Sequence, residues 1–315
     1  MTGISFSVVI PAYNARRTIE RAIRSILKQT VSDLEVIVIE NGSTDGTHEI
    51  VETIDDPRVI LVRKEEKGLA AARNTGIQRA RNDWIAFLDA DDEWLPHHLR
   101  NAELILARHA DVRWYCAAFD RRRPDGALIR TVIDEDAVRG DGRVPDYFIP
   151  NARRTFTLPS LTIVHKDVFA AVGDFSETIS QHGEDLDLWF RIGLKYPAMG
   201  YGSIVAGTYY IHADSVTGSD VSLRAPKVLG RIMHTIEAIS PEDEHRLPAA
   251  RLVVSRWLDR WIRLCVKEGN RAILPEMAKV DRRLITFRVR VLYLIARWVP
   301  APVITFLRKG TAEGR

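Results

Sequence analysis

The chain has 315 residues, 46% of them hydrophobic and 28% charged, with two cysteines. That is too apolar for a disordered chain, and Cys116 and Cys265 match no metal or redox spacing, which excludes a disulfide scaffold. The net charge of +3 hides a split: Arg246 to Arg315 holds 16 Lys or Arg against 5 Asp or Glu, whereas the preceding residues hold 29 against 37, so an acidic body carries a basic tail.

The amino terminus enters a strand-like run without the basic flank of a signal peptide, which predicts a cytoplasmic protein. Ser5–Ala12 (SFSVVIPA) is a β-branched apolar run closed by Pro11, the pattern of a buried strand. Thr18–Gln29 places Ile19, Ala22, Ile23, Ile26 and Leu27 at helical spacing. A second buried strand is predicted over Leu34–Glu40, a short helix over Thr47–Thr53, and a third strand over Arg58–Lys64. Gly68–Ala80 is Ala-rich and helical, and Asp83–Asp92 reads as a fourth strand ending in carboxylates. Strands alternating with helices in this way predict parallel β-α-β units. The nearly continuous apolar runs indicate strands covered on both faces.

His97–His109 is helix-like, with His97 and His98 read as exposed, and residues 120–150, rich in Arg, Asp, Gly and Pro, read as a long loop or flap. A strand over Ser160–Lys166, a short helix over Asp167–Ala171, a strong helix over Gly183–Lys195 and a last strand over Ile204–His212 follow. Beyond about Leu223 the pattern is helical and basic, and no internal repeat is found.

Ligands of open parallel sheets bind at the carboxyl ends of the strands. Four polar features fall there: Ala12-Tyr13-Asn14, Glu40-Asn41-Gly42-Ser43, Arg73-Asn74, and Asp89-Ala90-Asp91-Asp92. Three carboxylates ending a buried strand repel one another unless a cation neutralises them, and hard oxygen ligands suit Mg²⁺ or Mn²⁺. The competing reading is that Asp91 or Asp92 caps the next helix. NGSTDGT is also an ordinary turn sequence, and GLAAARNTG lacks the spacing of a dinucleotide or phosphate-loop fingerprint.

SVVIPAYN, ENGSTDGT, KGLAAARNTGI, LDADDEW and GEDLDLWFR, in this order over about Ser5–His212, resemble the family 2 glycosyltransferases of GT-A fold. The resemblance implies an α/β catalytic domain over 1–220, with a mostly parallel sheet flanked by helices. Within it, a nucleotide-sugar half spans about 1–112 and an acceptor half about 113–220, and a helical region over 221–315 follows. Pro11, Ala12, Tyr13 and Asn14 match the motif beside the nucleotide base. Glu40 and Asn41 match the acidic pair at base and ribose, with Glu where the family usually has Asp. Arg73 matches a residue near base and phosphates. Asp89-Ala90-Asp91 matches the DxD motif, with Asp89 near the ribose and Asp91 on the metal, Mn²⁺ or Mg²⁺.

The resemblance also implies a general base, Asp185, with Glu184 as its nearest competitor. Direct displacement at an anomeric carbon needs one carboxylate to take the acceptor's proton, and a metal neutralises the departing diphosphate. Charge at a helix N-terminus is the alternative for these acids. His212 resembles the family's late His-x-x-Ser segment and is expected at the metal or diphosphate, with Ser215 and Thr217 as candidates to cover the diphosphate. Trp189 and Arg191 are read as packing residues. The implied activity is inverting transfer from a nucleotide-diphospho sugar, expected to be UDP-linked, onto a glycan or lipid-linked acceptor.

Val291–Leu307 contains one charge but is too short to span a bilayer and is broken by Pro300 and Pro302. Arginines interleaved with aromatics on broken amphipathic helices suggest a peripheral position on an anionic membrane surface, at the inner face of the cell membrane. Packing onto the catalytic domain or a second copy in a homodimer is the alternative, and no motif supports nucleic acid. Acceptor recognition is expected in residues 113–160 and the tail. Two competing functions are a nucleotidyltransferase, which needs a Gly-rich phosphate loop after the first strand, and a non-catalytic membrane-associated scaffold.

Overall fold

The computed structural model describes residues 3–65, 68–179, 183–212, 221–239, 241, 243–268, 273–280 and 285–298. The first part runs β1 (Phe6–Ala12), α1 (Ile19–Leu27), β2 (Leu34–Asn41), α2 (Thr47–Glu52), β3 (Val59–Lys64), α3 (Leu69–Arg79), β4 (Trp84–Phe87), β5 (Glu93–Trp94) and α4 (His98–Arg108). Next come β6 (Trp114–Ala117), β7 (Phe119–Arg122), β8 (Leu128–Thr131), β9 (Arg143–Val144), α5 (Phe148–Arg153), β10 (Ile163–His165), α6 (Lys166–Val172), α7 (Glu184–Lys195), β11 (Met199–Gly202) and β12 (Gly207–Tyr210). Four helices follow: α8 (Val221–Glu237), α9 (Leu247–Glu268), α10 (Ile273–Lys279) and α11 (Phe287–Trp298).

The main sheet has the order β3-β2-β1-β4-β10-β6-β11-β9. β1 and β2 are buried along their whole length, as strands covered on both faces must be. The first four strands are parallel, and β10 enters antiparallel between β4 and β6. β1 pairs with β2 on one side and β4 on the other, so the winding direction reverses across it. That reversal opens a crevice at the carboxyl ends of β1 and β4. A smaller sheet, β5-β12-β7-β8, stands beside it.

Helix α3 lies close against β1 because residue 76 is glycine: a Cβ there would come within 2.2 Å of Val9 Cγ1. This close approach brings Arg73, one turn earlier, to the crevice. The C-terminal helices pack directly on the α/β body, α8 against α7 and α9 against α5. Phe190 of α7 meets Trp257 of α9 at a ring separation of 6.4 Å. Trp189 is buried and stacked on Trp114. Arg191 is held by Asp187 at 2.8 Å and by three backbone carbonyls. Both are packing residues.

Four expectations are corrected. Residues 120–150 contain the β7–β8 hairpin, β9 and the start of α5 rather than one long loop. The fourth strand stops at Phe87, where the chain turns so that Asp92 N–H donates to Asp89 O at 3.1 Å. Neither Asp91 nor Asp92 caps α4: its cap position is His97, with no side-chain bond. His98 is fully buried between the rings of Trp94 and Tyr115, neither ring nitrogen has a partner, and burial lowers its pKa to about 3.

Candidate active site

A cleft of about 970 Å³ opens at the reversal point. Its sheet side is formed by Pro11, Tyr13, Asn14, Arg73, Asp89, Ala90 and Asp91, and its far side begins with Glu184 and Asp185 at the start of α7. His212, just past β12, also lines it. Ser215 and Thr217 lie outside the described residues. Ala12, Glu40 and Asn41 do not line the cleft. All three are buried: the Glu40 carboxylate turns back to accept Ser43 N–H at 2.5 Å, and the Asn41 amide donates to Gly68 O at 3.2 Å.

The loop after β1 is held by reciprocal bonds to the loop after β2. Asn14 N–H donates to Ser43 Oγ, and Asn14 Oδ1 accepts Thr44 N–H, both at 3.0 Å. Asn14 adopts φ 50° to make both contacts, a conformation asparagine tolerates better than most residues.

Arg73 is 1% exposed and bridges the two sides. One guanidinium nitrogen donates to Asp89 Oδ1 at 2.7 Å and the other to Glu184 Oε1 at 2.5 Å. Burial works against its charge, but the carboxylates of Asp89 and Glu184 outweigh it and raise the pKa. Such charge-assisted pairs in a dry interior fix geometry strongly.

Glu184 is therefore taken up by Arg73, while its neighbour Asp185 is half-buried on the cleft wall with no side-chain partner among the described residues. Burial, with the nearby charge of Glu184 and against that of Arg73, pushes the Asp185 carboxyl up to about 7. A carboxyl tuned to that range exchanges protons readily near neutral pH. Gly183, at φ 109°, precedes these two acids; a Cβ there would press on Val228 of α8 at 2.8 Å.

Asp91 and Asp92 diverge. Asp92 is fully buried, accepting a bond from Ser160 Oγ and one from Tyr210 N–H at 3.1 Å. Burial and the charges of Asp91 and Asp89 raise its pKa well above the usual range. Asp92 thus ties the turn after β4 to the turn before β10 and to β12, and it does not line the cleft. Asp91 stays half-exposed, with Oδ2 at 3.3 Å from His212 Nε2. Burial and then the charge of Asp89 raise its pKa, against the pull of His212. Arg21 fixes this turn by donating to Asp91 O at 2.5 Å while its guanidinium lies 3.9 Å over the Tyr210 ring.

Among the described residues no group of three or more His, Cys, Asp or Glu is placed to hold a metal. The Asp91 carboxylate and the His212 ring nonetheless fit one, as the donors at the cleft edge that would hold a divalent ion of the Mn²⁺ or Mg²⁺ kind.

The profile of glycosyl transferase family 2 matches residues 7–165. The chain belongs to that family. An Escherichia coli relative, the UDP-Glc:alpha-D-GlcNAc-diphosphoundecaprenol beta-1,3-glucosyltransferase WfaP, is 40% identical over 96 residues, 30% of this chain and 38% of the relative. The putative teichuronic acid biosynthesis glycosyltransferase TuaG of Bacillus subtilis is 42% identical over 91 residues, 28% of this chain and 36% of the relative. The chain thus spans little more than a third of the length of either relative. Its fold matches that of S. aureus TarS 1-349 in complex with UDP-GlcNAc, with TM-score 0.77 and 18% identity over 99% of this chain and 93% of that one.

In this family 2 chain, sequence reasoning pointed to residues 113–160 and the tail but assigned no single residue to the cleft wall beyond the strand-end motifs. Trp257, Arg260 and Trp261 of α9, Val228 of α8, and Thr155 and Thr157 after α5 all line it. Arg256 ties the wall together, donating to Thr155 Oγ1 at 2.7 Å. The signal present was the WLDRW run, with two tryptophans and an arginine on one helical face. Nothing local distinguishes a cleft-facing tryptophan from a core one.

Proposed function

We propose that this chain is an inverting glycosyltransferase that moves a sugar from a nucleotide-diphospho sugar, with UDP as the nucleotide, to a hydroxyl of a lipid-linked glycan acceptor. The observation that carries this reading is the placement of Asp185 on the cleft wall, tuned to about 7, with the Arg73-anchored Asp89 and the Asp91–His212 pair lining the same cleft. The UDP-sugar and diphosphate-lipid acceptor named for the E. coli relative support the choice of substrates.

In this mechanism Asp185 takes the proton of the acceptor hydroxyl as its oxygen bonds to the anomeric carbon. The bond from that carbon to the diphosphate oxygen breaks on the opposite face, which inverts the centre. Asp91 and His212 would hold Mn²⁺ or Mg²⁺, which when bound supplies positive charge against the departing diphosphate. Arg73 keeps Asp89 oriented towards the ribose and keeps Glu184 engaged, so Asp185 alone faces the acceptor. The tryptophans and Arg260 of α9 form the acceptor side.

Calorimetric titration with UDP, GDP and dTDP, with and without Mn²⁺, tests the donor half. The expected result is metal-assisted binding of UDP that is lost in Asp91→Asn and kept in Asp185→Asn. Failure of every nucleotide to bind would overturn the reading in favour of a non-catalytic scaffold, and transfer activity that survives Asp185→Asn would overturn the assignment of Asp185 as the base. A nucleotidyltransferase is disfavoured because the turn after β1 is the Asn14 loop, with no glycine to cradle a triphosphate.

A further inference from the structure

Helix α11 presents two opposite apolar faces. Val289 and Ala296 are buried, and the helix packs on α9 and α10. At its start Thr286 N–H donates to Ser255 Oγ of α9 at 3.0 Å. The outward side carries Phe287, 80% exposed, Val291, 38%, Leu294, 52%, Ile295, 40%, and Trp298, 73%. At 100° per residue these five fall within an arc of about 100°. Arg288 flanks that arc on one side, and Arg290 and Arg297 on the other. Isolated exposed apolar residues need no explanation, but five on one helical stripe do.

We infer that this face of α11 is a membrane-docking surface that lies in the interface of an anionic bilayer. An interfacial helix has this cross-section: apolar side chains dip below the headgroups while arginines on both flanks reach up to lipid phosphates. Tryptophan and phenylalanine at the two ends suit the headgroup boundary. The basic segment from Arg246 to Arg315 adds long-range attraction to the same surface. A second copy of the chain fits less well. A twofold contact through this stripe would bring the flanking arginines of both copies together, and one 12-residue helix offers less than the roughly 800 Å² per partner of a stable dimer.

No described helix is long and apolar enough to cross a membrane, so the contact is one of lying on the surface. Because α11 rests on α9, and α9 supplies Trp257, Arg260 and Trp261 to the cleft, docking sets the acceptor wall one helix layer from the bilayer. This deepens the lipid-linked acceptor reading above and rests on it for its purpose.

Flotation of the full chain with phosphatidylcholine vesicles, with and without phosphatidylglycerol, tests the surface directly and requires neither donor nor acceptor. The wild type should float with the anionic vesicles only. Phe287→Glu/Trp298→Glu should lose at least tenfold in partitioning while its circular dichroism and UDP affinity stay unchanged. Arg288→Ala/Arg290→Ala should lose partitioning in proportion to salt sensitivity. Absence of flotation in the wild type, equal flotation of the Glu variant, or a concentration-dependent dimer that the Glu variant abolishes would each overturn the inference. UDP binding that persists in any of these cases would leave the transfer reading standing.

Discussion

On the transfer mechanism proposed above, replacing Asp185 by asparagine should abolish activity and at the same time stabilise the fold. The folded carboxyl sits at about 7, against ~3.9 in an unfolded chain. Its pKa is raised on folding, so the ionised form is disfavoured in the native state. This penalty is absent below the unfolded pKa, grows as pH rises from about 4 to 7, and is constant above that. Three units at ~1.4 kcal/mol each give ~4 kcal/mol at pH 8, and an amide that must still be desolvated recovers about half of it, ~2 kcal/mol. At this chain length that corresponds to a rise of about 3 °C in Tm.

Thermal unfolding of wild type and Asp185→Asn, followed between pH 4 and pH 8, reads the difference. The gain should be full at pH 8 and shrink towards pH 4. In parallel, kcat of the wild type should rise with pH through about 7, and the variant should lose ~10²–10⁴-fold in rate. A variant no more stable than wild type at pH 8, or one that keeps a tenth of the activity, would refute the argument.

Removing Arg73 as Arg73→Ala should destabilise the fold by ~3–5 kcal/mol, because Asp89 and Glu184 are left unpaired in the interior; urea denaturation measures this, and recovery in Arg73→Ala/Glu184→Gln would show that the pair is the cause. Chelation of divalent ions should weaken UDP binding in the wild type, while Asp91→Asn should bind UDP weakly and show little response to added Mn²⁺ in calorimetry. His98→Phe should stabilise by about 1 kcal/mol by removing two unpaired buried nitrogens. Because the folded His98 is held near 3, the wild type should also lose stability as pH falls below the unfolded value of ~6.5, and the variant should lack that loss in thermal melts.

The parallel half of the sheet was legible because β1 and β2 are long apolar runs buried along their whole length, and the half-buried edge strand β3 still opens on four apolar residues. β7 and β8 were not. They are four residues each and largely exposed, and β7 is written in aspartate and arginine that read equally as loop; only pairing, of β7 with β12 and of β8 with β7, makes them strands. The overlong fourth strand has the same origin. Asp89 to Asp92 directly follow the apolar run of β4 with no glycine or proline to mark its end, and Asp92 is drawn inward by Ser160 and Tyr210, residues that only the fold brings near. The histidine pair shows a further limit, since helical spacing gives the period of a buried face without its phase.

Within the site, the residues following strand ends were placed by topology alone, because parallel strands deliver their carboxyl ends to one edge. Glu40 and Asn41 stand at such an end and still turn inward, since the tight turn at Gly42 leaves Ser43 N–H within reach of the Glu40 carboxylate. The separation of Glu184 from Asp185 needed the position of Arg73, 111 residues earlier in the chain. The tryptophans of α9 needed the docking of a whole helix.

That docking has a consequence for biogenesis. The sheet side of the cleft is written in the first hundred residues, whereas its opposite wall comes from Trp257 to Trp261 and reaches the ribosome exit long afterwards. A nascent chain that has not yet released α9 can pair β1, β2 and β4, but it leaves the ring of Phe190 without Trp257 and the side chain of Thr155 without Arg256. Until α9 has emerged, the sheet keeps a bare apolar flank, and the cleft gains its second wall only with that helix.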